Sequence, residues 1–301
     1  MKISIIGLGN VGSTLAYTIA LRGLTDELVL VNRTHSKAQA DALDLQQSIP
    51  FTSHTMSITA GHMPDIEGSH IVCLAASCPL RPEYKTRADL GRENAKLMRE
   101  LVPQIAEHCP NAILIVLTNP VDPMTYLAWK ISGLAKSKVI GTGTFIDSLR
   151  YRHALSQEVG IHPADLRTYI IGEHGDTQFP LISTATAGGE AMEDTPEKRQ
   201  LFKETVDAAN QIVAHKGYTN FAISTATACI IESIVKDAKH TIPVSCYIDG
   251  FCGESDVFLS LPAVIGREGI NKVFHPQVNN EEQANFKRSS AVVKKMIADF
   301  T

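Results

Sequence analysis

The first twelve residues constrain the fold more than any other part of the chain. Lys2–Ile6 is a short apolar run rich in isoleucine, the pattern of a buried strand. It leads directly into Gly7-Leu8-Gly9-Asn10-Val11-Gly12, and Ser13–Leu21 follows with helical spacing that ends at Gly23. A G-x-G-x-x-G string alone is a weak signal. Between a strand and a helix it has a mechanical reading. Gly7 permits the tight turn, Gly9 lets the backbone approach a pyrophosphate, and Gly12 permits close helix packing. The helix N-terminus attracts the phosphate charge. Gly7, Gly9, Asn10, Val11 and Gly12 are therefore expected to hold a dinucleotide.

Strand and helix patterns then alternate. Glu27–Val31 reads as a strand and His35–Ile49 as a helix with Thr34 as cap. His70–Ala76 is a buried strand, and Thr86–His108 a long helix expected to kink near Pro103. Asn111–Thr118 is a strand bounded by Asn119-Pro120, Asp122–Ser132 a helix, and Lys138–Ile140 a short strand. Strands apolar on both faces call for a parallel sheet covered by helices, with right-handed crossovers. In the second half Phe145–Glu158, Pro196–Lys216, Asn220–Lys236 and Glu281–Asp299 read as helices, the last capped by Asn279 or Asn280. Leu166–Ile171, Ile242–Ile248, Val257–Leu259 and Ala263–Ile265 read as strands. The expected class is α/β: a Rossmann-type parallel-sheet domain over residues 1–142, which binds the dinucleotide, then an α+β substrate domain over 143–301.

Composition narrows the partners. The 28 basic and 32 acidic residues of the 301 give a net charge of −4, which supplies no electrostatic reason to expect nucleic acid. No signal-peptide pattern and no run of about 20 apolar residues is present, so a soluble cytoplasmic protein without membrane partners is expected. The six cysteines form no Cys-x-x-Cys pair and no zinc spacing. They are read as buried free thiols, and no metal site is expected.

The second strand departs from the usual dinucleotide fingerprint. An acid normally binds the adenosine ribose hydroxyls about 20 residues beyond the glycine loop. Here Asn32 stands there, followed by Arg33, Thr34 and Ser36. Asn32 removes the repulsion that a carboxylate would exert on a 2′-phosphate, and Arg33 can bind one. Of NAD and NADP, this favours NADP. In the other reading Arg33 is a solvated side chain and Asn32 binds the ribose of NAD.

Carbonyl reduction by hydride needs a proton donor, a carboxylate to orient it, a cation to polarise the carbonyl and a clamp for a substrate carboxylate. Ile171-Gly172-Glu173-His174-Gly175-Asp176 places His174 in a glycine-flanked loop after a strand. Asp147 and Arg150 share one face of a helix at i, i+3. On the residues alone, a surface salt bridge between those two is the plainer reading.

The run Gly141–Arg152, together with Thr118-Asn119-Pro120-Val121-Asp122, the His174 segment and Lys216-Gly217-Tyr218-Thr219, resembles the lactate/malate dehydrogenase family. The matches fall in family order along the whole chain. The resemblance implies that His174 exchanges a proton with the substrate oxygen and that Asp147 pairs with it. Arg150 clamps the substrate carboxylate, Asn119 lies near the substrate oxygen and the nicotinamide, and Thr219 lines the pocket. It also implies a homodimer or homotetramer acting on a small 2-oxo or 2-hydroxy acid.

On the loop Cys78–Arg87, Arg87 matches the arginine that polarises the carbonyl. Arg81 stands where malate enzymes carry arginine and lactate enzymes usually glutamine. A guanidinium would welcome a second carboxylate and be left unpaired against pyruvate. Malate/oxaloacetate is the expected pair, with L-lactate or another 2-hydroxy acid as the alternative. Glu83 could neutralise Arg81, and Thr219 is more lactate-like. A nucleotide-binding sensor without catalysis is the rival class, against which the set Arg87, Asn119, Asp147, Arg150 and His174 stands, since a sensor needs no proton donor.

Overall fold

The computed structural model describes residues 1–79 and 87–300, with only the backbone of Arg87 and Ala88. Its first half is β1 (Lys2–Ile6), α1 (Asn10–Arg22), β2 (Glu27–Val31), α2 (His35–Ser48), β3 (Ser57–Gly61), β4 (Ile71–Leu74), α3 (Arg87–His108), β5 (Ile113–Val116), α4 (Val121–Ser132) and β6 (Val139–Gly141). The six strands pair in parallel in the order β3-β2-β1-β4-β5-β6.

The two-sided apolar runs do what the pattern requires. Ile3, Ile5, Leu28, Leu30, Ile71, Cys73, Ile113 and Ile115 face one layer, together with Leu15 and Ile19 of α1. Their neighbours Ile6, Val29, Val31, Val72, Leu74, Leu114 and Val116 face the other, against Met98 and Val102 of α3 and Met124 and Leu127 of α4. Both faces are dry, so alternate residues of every strand but the edge strand β3 are buried alike. α3 is helical from Arg87 to His108 with Pro103 inside it.

The second half continues as α5 (Phe145–Val159), β7 (Leu166–Arg167), β8 (Ile170–Ile171), β9 (Phe179–Pro180), β10 (Thr186–Ala187), β11 (Glu190–Ala191), α6 (Pro196–Lys216), α7 (Phe221–Val235), β12 (His240–Asp249), β13 (Ser255–Gly266), β14 (Gly269–Val273) and α8 (Asn280–Phe300). β12, β13 and β14 form an antiparallel meander, and β12 joins β6 through Ser245 and Gly141. One nine-stranded sheet therefore crosses the expected boundary at 142/143.

The sequence reading gives no strand at β9, β10, β11 or β14, and it differs from the structure at three further places. β3 was not expected; its only large apolar residue is Ile58, and it is an edge strand. The expected strand Leu166–Ile171 is two, β7 pairing with β10 and β8 with β9. The short strands expected between residues 242 and 265 are the long β12 and β13, in which Pro243 faces Pro262. The Pro262 carbonyl accepts from Phe274 on the β14 side, so this pair exchanges no hydrogen bonds across the β12–β13 ladder and proline costs none there. At the start of α8 Asn279 is the cap: its Oδ1 accepts from Glu282 N–H at 2.9 Å, while Glu282 Oε2 accepts from Asn279 N–H at 3.0 Å.

Of the six free cysteines, Cys73, Cys109 and Cys246 are buried, whereas Cys78, Cys229 and Cys252 are only partly so. Among the described residues no helix is long and apolar enough to cross a membrane.

Where the meander meets α4, Tyr126, Trp129 and Tyr247 surround the fully buried Phe258, with centroids 5.8–6.4 Å from its ring. Phe258→Ala is expected to lower stability by about 3–5 kcal/mol, read from the urea midpoint and slope.

Candidate active site

The glycine loop leaves β1 and enters α1 within four residues. Gly7 has a positive φ of 98°, and a Cβ there would lie 2.3 Å from the Ala76 nitrogen. A Cβ on Gly12 would lie 1.9 Å from the Gly7 carbonyl oxygen, so the turn closes only with hydrogen at that position. Gly9 is exposed, and a Cβ built on it would meet nothing within 4 Å. Gly9 is the N-cap of α1 and supplies no side-chain cap. The loop thus keeps open space before the helix N-terminus, with exposed Asn10 and half-buried Val11 beside it. That cradle fits a dinucleotide diphosphate.

Asn32 follows β2 and is turned toward this loop. Its Oδ1 accepts from Leu8 N–H at 3.1 Å, and its Nδ2 donates to the Thr34 carbonyl at 3.2 Å. The residue expected near the adenosine ribose thus also braces the glycine loop. Arg33 and Thr34 are exposed next to it.

β8 delivers the second part of the site. Past Ile171, the turn Gly172–Gly175 carries His174 back across the carboxyl end of the sheet, and Gly172 bridges to Ser260 of β13. α5 starts after β6, where Thr144 N–H donates to Ser260 Oγ at 2.9 Å. Both segments are pinned to one residue of β13, and this brings Asp147 to His174. Asp147 Oδ2 lies 2.6 Å from His174 Nδ1, and its Oδ1 lies 3.4 Å from Arg150 Nη1. The Asp147 side chain is 9% exposed and that of His174 25%, so the ring keeps an open edge. Burial works against a charged imidazole, but the Asp147 carboxylate and its hydrogen bond outweigh it and raise the proton affinity of His174.

A third part comes from β5 and α3. Asn119 is exposed at the carboxyl end of β5, before a cis bond to Pro120. Its carbonyl accepts from the fully buried Asn94 at 2.7 Å, and Asn94 Oδ1 accepts from Cys78 N–H at 2.7 Å. Asn94 so ties together α3, the Asn119 turn and the start of the loop that follows β4. Sequence reading missed it, since a lone asparagine in a helical pattern carries no signal. It also quoted Asp122 without giving it a role; the structure buries Asp122 with its Oδ2 accepting from His174 N–H at 2.7 Å.

Thr219 is half-buried between α6 and α7. The neighbouring Asn220 donates to Thr14 Oγ1 at 2.8 Å, and Ser224 donates to the Val11 carbonyl at 3.2 Å, which docks this corner on the glycine-loop helix. Arg81 lies outside the described residues, and so does the side chain of Arg87. Among the described residues no group of three or more histidines, cysteines and carboxylates could hold a metal ion.

Two family models match the chain: the lactate/malate dehydrogenase NAD binding domain over residues 1–141, and the lactate/malate dehydrogenase alpha/beta C-terminal domain over 144–301. An L-lactate dehydrogenase of Halalkalibacterium halodurans is 39% identical over 296 residues, 97% of this chain and 95% of that protein. One of Bacillus velezensis is 36% identical across 99% of this chain and 96% of its own. Among solved structures, a lactate dehydrogenase from a Medee basin deep-sea metagenome library superposes with a TM-score of 0.96 at 31% identity, covering 99% of this chain and 98% of its own. The minor L-lactate dehydrogenase of Enterococcus mundtii gives 0.95 at 30%, covering 100% and 98%.

Because a Gly12 side chain has no room against Gly7, Gly12→Val is expected to weaken dinucleotide binding by at least tenfold. Quenching of protein fluorescence by NADH and NADPH measures it.

Proposed function

The chain belongs to the lactate/malate dehydrogenase family, and we propose that it interconverts a small 2-oxo acid and its L-2-hydroxy acid, with pyruvate and L-lactate as the favoured pair. The observation that carries the reading is the bridge from one carboxylate, Asp147, to both His174 and Arg150. It joins a proton-exchanging group to a carboxylate-binding one, the two functions that a 2-oxo acid needs side by side.

In this reading the bound nicotinamide donates or accepts the hydride. His174, held by Asp147, gives its proton to the substrate oxygen during reduction and takes it back during oxidation. Arg150 binds the substrate carboxylate, Arg87 polarises the carbonyl, and Asn119 hydrogen-bonds near the substrate oxygen. The raised proton affinity of His174 keeps the imidazole charged to higher pH. Reduction therefore falls as pH rises through that pKa, and oxidation rises over the same range. Residues 1–142 hold the cofactor and 143–301 supply most of the chemistry.

Two observations turn the substrate from malate toward lactate. Relatives that span nearly the whole chain are L-lactate dehydrogenases, at 39% and 36% identity. Thr219 is also lactate-like. Arg81 supports malate as a second reading, because its charge matches a second carboxylate. NAD is the cofactor named for the matched domain. The neutral Asn32 and the exposed Arg33 support acceptance of NADP beside it.

His174→Asn is expected to lower turnover by more than a thousandfold while NADH binding stays within about threefold. Turnover near that of the unaltered chain would reject the assignment. A panel of pyruvate, oxaloacetate and longer 2-oxo acids decides the substrate: the pyruvate reading requires the highest kcat/KM with pyruvate, and no turnover with any of them favours a sensor. Arg33→Ala is expected to raise the Kd of NADPH more than that of NADH; an equal change would show that Arg33 does not read the 2′-phosphate.

A further inference from the structure

A second carboxyl holds His174, and the reaction outlined above gives it no task. Asp122 is the second residue of α4 and is 1% exposed. One oxygen, Oδ2, accepts the main-chain N–H of His174 at 2.7 Å. The other, Oδ1, is buried without a hydrogen bond, and so is the hydroxyl of Ser245 on β12, the strand that packs beside it. The two lie close enough for the hydroxyl to favour the charged carboxyl.

Few groups face this carboxyl. His174 and Glu173 reach it from the turn after β8, and Ser245 and the Cys246 thiol from β12. Beyond His174 stand Asp147 and Arg150 of α5. Among the described residues no cationic side chain is bonded to Asp122, and the charge that favours its ionised form is that of the His174 imidazolium. Burial pushes the carboxyl up to about 7, against the opposing effects of Ser245 and His174. Its charge thus changes near neutral pH.

We propose that Asp122 is a positioning residue for His174 which also sets how firmly the imidazole holds its proton. It fixes the main chain at His174, and its charge adds to that of Asp147 in favouring the imidazolium. The inference rests on the proton-exchange role proposed for His174. The two groups then titrate as a coupled pair. As pH rises, ionisation of Asp122 helps His174 keep its proton, so reduction persists to higher pH than Asp147 alone would allow.

Asp122→Asn keeps an oxygen for the His174 N–H and removes the charge. The alkaline fall of kcat/KM for reduction is expected to move about 0.5–1 pH unit lower, and the acid limb of oxidation to move lower with it. A merely structural defect would depress both directions without moving either limb. Ser245→Ala retains the carboxyl but removes the hydroxyl that favours its charge, and should move both limbs the same way by less.

Histidine NMR of the chain gives a readout free of turnover. With the His174 signal assigned by its loss in His174→Asn, its pKa should fall in Asp122→Asn and, by less, in Ser245→Ala. Unmoved limbs and an unmoved imidazole pKa in folded variants would overturn the proposal. If Asp122→Asn does not fold, Ser245→Ala decides alone by the same criterion. Failure of the underlying reading is separate: it shows as turnover by His174→Asn, and the imidazole titration still decides whether Asp122 sets the proton affinity.

Discussion

The hydrogen bond that His174 Nδ1 donates to Asp147 spans 27 residues of sequence and joins α5 to the turn after β8. A charge-assisted bond of this kind contributes about 1.5–3 kcal/mol, which is too little to assemble a site by itself. The sheet brings the two segments together. Ser260 of β13 receives Thr144 N–H at the start of α5 and forms the bridge to Gly172 before His174. The carboxylate and the imidazole are thus set by a fully buried residue of the meander, and the bond between them aligns groups that the fold has already made neighbours. This order of dependence matters for chemistry, because a proton donor positioned by the core loses little entropy when substrate arrives.

How much of this was legible in the sequence depends on the range of the interaction. The glycine loop could be read because its tightest constraint is local: a Cβ on Gly12 would strike the Gly7 carbonyl within one turn, whereas one on Gly7 would strike the distant backbone of Ala76. The parallel sheet could be read because β4 and β5 are apolar at every position and β1 and β2 at most of theirs. Asp147 and Arg150 could be placed on one helix face by spacing, yet spacing alone suggested only a salt bridge to each other. That contact exists at 3.4 Å. Its partner across the fold, His174, came from the resemblance to the family, since nothing local joins residue 147 to residue 174. Asn94 and Asp122 escaped for the same reason. Their meaning lies in backbone groups of distant segments, and backbone groups leave no mark on a sequence.

Asn32 shows the reverse case, in which a local reading was physically sound and still incomplete. An amide in place of an acid does remove a negative charge near the ribose. The structure adds that the same amide accepts from Leu8 and donates to Thr34, so it braces the glycine loop as well. The charge argument for NADP therefore falls on Arg33, which is exposed. Substrate choice has a similar division. Arg81 argues for a second carboxylate on electrostatic grounds, while Thr219 and the L-lactate dehydrogenase relatives argue against it.

The continuous sheet has a final consequence for how the site works. β6 ends the parallel half, and β12 joins it at Ser245. Ser245 also faces the carboxyl of Asp122, which holds His174. The seam between the two halves is therefore closed by strand pairing. It is a hydrogen-bonded joint whose buried side chains reach the histidine. His174 is thereby tethered, through Gly172 and Asp122, to the same sheet from which the glycine loop emerges.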